Sequence, residues 1–65
     1  MKLIVNGRPH DTRAGVLEDL LTELGYGEAR VATALNGTFV SQDARATTSL
    51  GDGDLLEVLT PRQGG

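Results

Sequence analysis

The chain contains no cysteine, which excludes a disulfide, a thiolate nucleophile and a cysteine-ligated metal. Stability must therefore come from packing alone, within 65 residues that suffice for one small domain of modest net stability. Lysine is almost absent too: Lys2 is the only one, and six basic residues face nine acidic ones for a net charge of −3. No basic stripe exists to meet phosphates, so nucleic acid is not an expected partner. Such acidity suits a basic protein partner, but its ordinary meaning is solubility. No apolar run is longer than Leu3-Ile4-Val5, far short of the roughly 20 residues a membrane span needs. Met1-Lys2 leads into that run without a cleavage-site pattern. The expectation is a cytoplasmic protein with no membrane association.

What remains is globular in composition, at 38% hydrophobic and 23% charged. The spacing of its apolar residues predicts the elements. "KLIVN" has strand density, with Leu3 and Val5 on one face and Ile4 on the other. Asn6-Gly7 is a strong hairpin signal, and the polar "RPHDT" that follows reads as an edge strand, because Pro9 cannot donate to a ladder. In "VLEDLLTELG" the period changes: Leu17, Leu20, Leu21 and Leu24 fall on one helical stripe. Glu18, Asp19 and Glu23 lie off it, and Gly25 is placed to end the helix. No Ser, Thr, Asp or Asn directly precedes the stripe, which leaves Gly15 as the tolerable N-cap.

"YGEAR" reads as a loop and "VATAL" as a strand, with Val31, Thr33 and Leu35 facing one way and Ala32 and Ala34 the other. Asn36-Gly37 turns it into the short strand "TFV". "SQDARATTSL" is polar and irregular, with one helical turn and Leu50 as its anchor. "GDGD" is a tight turn into "LLEVLT", which points Leu56 and Val58 inward and Leu55, Glu57 and Leu59 outward. A hairpin, a helical crossover and three more strands make an α+β fold: a mixed sheet of about five strands with one helix packed on one face. The last strand belongs beside the first, mid-sheet. That is a β-grasp arrangement over residues 1–60, followed by a flexible tail, 61–65, that ends in Gly-Gly.

Little in the chain can be activated for catalysis. His10 is the only histidine, and on a polar strand it reads as a solvated residue, not a base or ligand. Asp52 and Asp54 flank Gly53 as in a fragment of a calcium loop, but the twelve-residue ligand pattern is missing, so a turn is expected and no metal. "GDG" lacks the glycines and following lysine of a phosphate cradle. Glu18 and Glu23 read as the wet face of a helix. Neither a catalytic constellation nor a bound cofactor is expected, and the chain does not read as an enzyme.

The motifs "VNG", "LEDLLTEL", "ALNGTFV", "GDGDLLEVL" and the closing "QGG" together resemble the ThiS/MoaD family of ubiquitin-like sulfur carriers over essentially the whole length. Shortness and the tail are more similar to the thiamine-pathway branch. The family usually has a capping residue where "RAGVLED" leads into the helix, and small or apolar residues where Pro61-Arg62 stands. The resemblance implies that Gly65 bears the reacting carboxylate, activated as an acyl-adenylate and then converted to a thiocarboxylate. An adenylating enzyme of the ThiF type would spend the ATP, a cysteine desulfurase would be the sulfur donor, and a thiazole synthase of the ThiG type would accept the sulfur. Gly64, Gln63, Arg62 and Pro61 would thread the partner's channel. Leu59, Ala34 and Glu57 on the outward sheet face would form the partner-binding surface. The same chemistry could serve molybdopterin, cysteine or tRNA thiolation. A non-covalent β-grasp interaction module, or a modifier conjugated to lysines, would use the same fold.

Overall fold

The computed structural model describes residues 1–27 and 29–61. The strands are β1 (Lys2–Val5), β2 (Arg8–Asp11), β3 (Ala32–Leu35), β4 (Thr38–Val40) and β5 (Leu55–Leu59). One helix, α1 (Leu17–Glu23), joins the two hairpins, and a 3₁₀ segment (Gln42–Thr47) precedes β5. The sheet order is β2-β1-β5-β3-β4, with β5 parallel to β1 and antiparallel to β3. The last strand is thus central, and β2 with its proline lies at an edge, as the pattern of apolar residues requires.

Each hairpin closes through an Asn-Gly pair. Asn6 and Gly7 have φ of 50° and 83°, and Asn36 and Gly37 have 52° and 83°. Positive φ at both central residues is the mark of the turn whose twist matches the flanking strands, and asparagine is among the few side chains that tolerate it.

The core lies between α1 and the inner sheet face: Leu3, Leu17, Leu20, Leu21, Val40, Leu56 and Val58 are buried. Leu24, Val5, Leu35 and Leu50 pack against it half-buried. Thr33 is buried among them, its hydroxyl satisfied by the Val40 carbonyl at 3.0 Å. Val31, expected inside a strand, stands just before β3.

The ends of α1 differ in how they are closed. Its C-terminus is a Schellman motif: Gly25 (φ 94°) donates to the Thr22 carbonyl at 3.1 Å and Tyr26 to that of Leu21 at 2.8 Å. At the other end Gly15 is not the cap. Val16 holds that place in extended geometry with no side-chain cap bond. The helix start is met by distant backbone instead. The Leu17 N–H donates to the Thr48 carbonyl at 2.9 Å, and Leu50 N–H to that of Gly15 at 3.0 Å. A side-chain cap is unnecessary where another segment satisfies the first orphan donor.

Candidate functional site

Alternation along β5 sends Leu56 and Val58 into the core and leaves Leu55, Glu57 and Leu59 outside. Thr60 and Pro61, both exposed, continue the chain at the end of this central strand. On β3 the outward residues are alanines: Ala32 lies opposite Leu59, and Ala34 lies opposite Glu57 on one side and Phe39 on the other. Small side chains between large ones leave a hollow of about 140 Å³ that Ala32, Ala34, Phe39, Glu57 and Leu59 help to line. A second hollow, of about 330 Å³, runs from Arg30 and Val31 past Ala32 and Leu59 to Thr60 and Pro61. Leu59 lies in both. It is 70% exposed and Phe39 is 69% exposed, so two large apolar groups stand in water around one hollow, with Leu59 next to the root of the tail. Isolated exposed leucines are ordinary, whereas adjacent large apolar groups around a hollow mark a contact surface.

Of the residues expected to form the partner surface, Leu59, Ala34 and Glu57 do come together. Phe39 was not among them. Turn parity could have found it, because a two-residue loop at Asn36-Gly37 pairs Ala34 with Phe39 and puts both on one face. Pro61 continues from β5; Arg62, Gln63, Gly64 and Gly65 lie outside the described residues.

Two asparagines hold β5 from its two sides. Beyond the point where β1 turns away, the Asn6 side chain takes over its ladder: Val58 N–H donates to Asn6 Oδ1 at 2.8 Å, and Asn6 Nδ2 donates to the Val58 carbonyl at 3.2 Å. From the β3 side, Asn36 N–H donates to the Leu55 carbonyl at 2.7 Å, and Leu55 N–H to Asn36 Oδ1 at 2.9 Å. The face and the tail root are therefore carried on a strand fixed from both flanks.

The "GDGD" carboxylates are spent on structure. Asp52 Oδ1 accepts from the Lys2 N–H at 2.8 Å, while Asp54 accepts from the Gly51 N–H at 2.7 Å and from Asn36 Nδ2 at 3.0 Å. Among the described residues no group of three or more His, Cys, Asp or Glu could hold a metal ion.

His10 is not simply solvated. Its Nε2 lies 2.7 Å from Glu23 Oε2, and the Thr12 hydroxyl donates to Glu23 Oε1 at 2.7 Å while accepting from the Ala14 N–H at 2.9 Å. The hydrogen bond from His10, and after it that from Thr12, hold the Glu23 carboxyl below its ordinary value. This ties the edge strand to the last turn of α1. A carboxyl held ionised in this way is poorly suited to donate a proton. A wider hollow of about 500 Å³ lies beside it, lined by Met1, Asp11, Thr12, Arg13 and Glu23. Because β5 runs parallel to β1, Met1 and the tail root occupy opposite ends of the sheet.

Comparison with known proteins joins these features. The chain matches the ThiS family over residues 3–65. It belongs to the ThiS family. The family resemblance drawn from the motifs is thereby confirmed, and the solved structures bear out the fold. The crystal structure of a thiamine biosynthesis protein (ThiS) from Geobacter metallireducens superposes with a TM-score of 0.83 at 33% identity, each chain covered completely. A solution structure of a thiamine biosynthesis protein from the same organism gives 0.80 at 32% identity, covering all of this chain and 88% of that one. Two curated relatives are thiazole synthases. That of Magnetococcus marinus is 38% identical over 60 residues, or 91% of this chain, and that of Paramagnetospirillum magneticum is 36% identical over 66 residues, or 100%. The ThiS-like chain spans only 18% and 20% of their lengths. Among the described residues, no helix of this ThiS-family chain is long and apolar enough to cross a membrane.

Proposed function

We propose that this ThiS-family chain is a cytoplasmic sulfur carrier for thiazole formation in thiamine biosynthesis, a handle on which partner enzymes work and not itself an enzyme. The observation that carries the reading is the ThiS match, which continues through the tail to residue 65. In the proposal, residues 1–60 are the folded body and 61–65 the tail, with the reacting carboxylate on Gly65. A carboxylate resists attack because its charge is delocalised and oxide leaves poorly. An adenylating partner would join it to AMP from ATP, releasing pyrophosphate. The sulfur of a persulfide, drawn from cysteine by a desulfurase, would then bond to the carbonyl carbon as AMP departs. Cleavage of the sulfur–sulfur bond by a second thiol would leave a thiocarboxylate, a softer and stronger nucleophile. Gly64 imposes no Cβ on a narrow channel. Pro61 stiffens the stalk that continues through Arg62 and Gln63 and lowers the entropy lost on threading.

Leu59, Phe39, Ala34 and Glu57 would dock the partners, with Leu59 and Phe39 as apolar anchors and Glu57 as the charged contact between them. A thiazole synthase is the proposed acceptor, supported by the thiazole synthases that contain a segment similar to this chain. The adenylation step is tested by pyrophosphate exchange. An adenylating enzyme of this class should return labelled pyrophosphate to ATP only when the chain is present. No chain-dependent exchange, with an enzyme active on its own carrier, would overturn the reading.

A further inference from the structure

The two Asn-Gly turns carry a reactivity that is independent of sulfur transfer. In such a pair the glycine backbone nitrogen can attack the asparagine Cγ, forming the C–N bond of a five-membered succinimide as ammonia leaves. Water then opens the ring to aspartate or isoaspartate, with no oxidant or reductant involved. Glycine permits this because no side chain shields the nitrogen, and a Cβ at Gly7 or Gly37 would meet nothing within 4 Å.

The two asparagines are not equally protected. Both amide bonds of Asn6 go to the main chain of Val58 in a part-buried seam. Those of Asn36 are exposed, and its Nδ2 depends on the side chain of Asp54. Both turns lead into edge strands, but β4 after Asn36 has three residues where β2 after Asn6 has four. Of two edge elements, the shorter one, held by exposed bonds, opens at the lower free energy. We propose that Asn36 is a site of spontaneous modification, deamidating ahead of Asn6, and that the product disturbs the sheet because a second carboxylate is then set against Asp54.

In the aspartate product, the oxygen replacing Nδ2 would stand where an amide now donates to Asp54 Oδ1 at 3.0 Å. A hydrogen bond becomes a contact between like charges, which is destabilising. In the isoaspartate product the backbone gains a methylene inside a two-residue turn, which shifts the pairing of β4 and with it Phe39.

The test is peptide mapping by mass spectrometry after ageing the intact chain in mildly alkaline buffer, combined with urea denaturation of substituted chains. The Asn36-Gly37 peptide should convert several-fold faster than Asn6-Gly7. Asn36→Asp should lower the urea midpoint at neutral pH, and adding Asp54→Asn, which exchanges the amide and the acid, should restore much of the loss. Faster conversion at Asn6, equal rates at both, no loss in Asn36→Asp, or no recovery in the double variant would each overturn the proposal.

Discussion

Asn6 and Val58 exchange two hydrogen bonds, at 2.8 Å and 3.2 Å, across the seam where the first and last strands run parallel. Parallel pairing here covers only Ile4↔Leu55 and Val5↔Leu56. The asparagine amide therefore extends the seam beyond the residue where β1 ends. Asn6→Gly keeps the positive φ at no steric cost while deleting both bonds. It should lower stability by about 1–3 kcal/mol, read as a lower urea midpoint with an unchanged slope. An unaltered midpoint would show that water replaces the amide freely.

Leu59 and Phe39 offer the second prediction. Both are exposed, so truncation to alanine should leave the unfolding free energy within about 0.5 kcal/mol of the parent's. As anchors at a docking face, each should be worth roughly 1–2 kcal/mol of binding. Steady-state adenylation should show KM for the carrier raised about tenfold with kcat unchanged. Equal KM values for parent and both variants would remove this face from the partner contact.

Glu23 sets a pH dependence. Its carboxyl titrates lower in the folded chain than its ordinary value of 4.5, through the bonds from His10 and Thr12. The stabilisation is then fully present above that value and is lost as pH falls through the lower, folded value. Glu23→Gln cannot ionise, so its urea midpoint should lie below the parent's at neutral pH. Under strongly acidic conditions, with the parent's carboxyl protonated, the two midpoints should converge. A gap that persists in acid would mean that the hydrogen bonds matter without the charge.

A chain lacking Gly65 should fold with the parent's circular dichroism and urea midpoint, yet support no pyrophosphate exchange. Loss of structure on removing that residue would show that it belongs to the folded body.

Much of the fold could be read from the residues because its determinants are local. The stripe of Leu17, Leu20, Leu21 and Leu24, the stop at Gly25, and the positive-φ demand met by Asn6-Gly7 and Asn36-Gly37 are all short-range. The central place of β5 follows from a helical crossover between hairpins. What stayed hidden was long-range satisfaction of polar groups. The helix start is met by the carbonyl of Thr48, which no cap motif near Gly15 could announce. His10 reaches Glu23, 13 residues away, and Asn6 reaches Val58, 52 residues away, because tertiary contact, not sequence spacing, aims them. The outward placement of Leu59, Ala34 and Glu57 followed from strand alternation, and their reading as a partner surface from the family resemblance, whereas Phe39 needed the turn register as well.

Whether sulfur is carried on the carboxyl group of Gly65 can be read from intact and fragment mass spectrometry. The chain would be incubated with adenylating enzyme, ATP and a persulfide donor. The expected result is a mass gain matching one sulfur in place of one oxygen, confined to the C-terminal fragment and absent without ATP. An unchanged mass, or sulfur located elsewhere in the chain, while the same enzyme charges its own carrier, would contradict it.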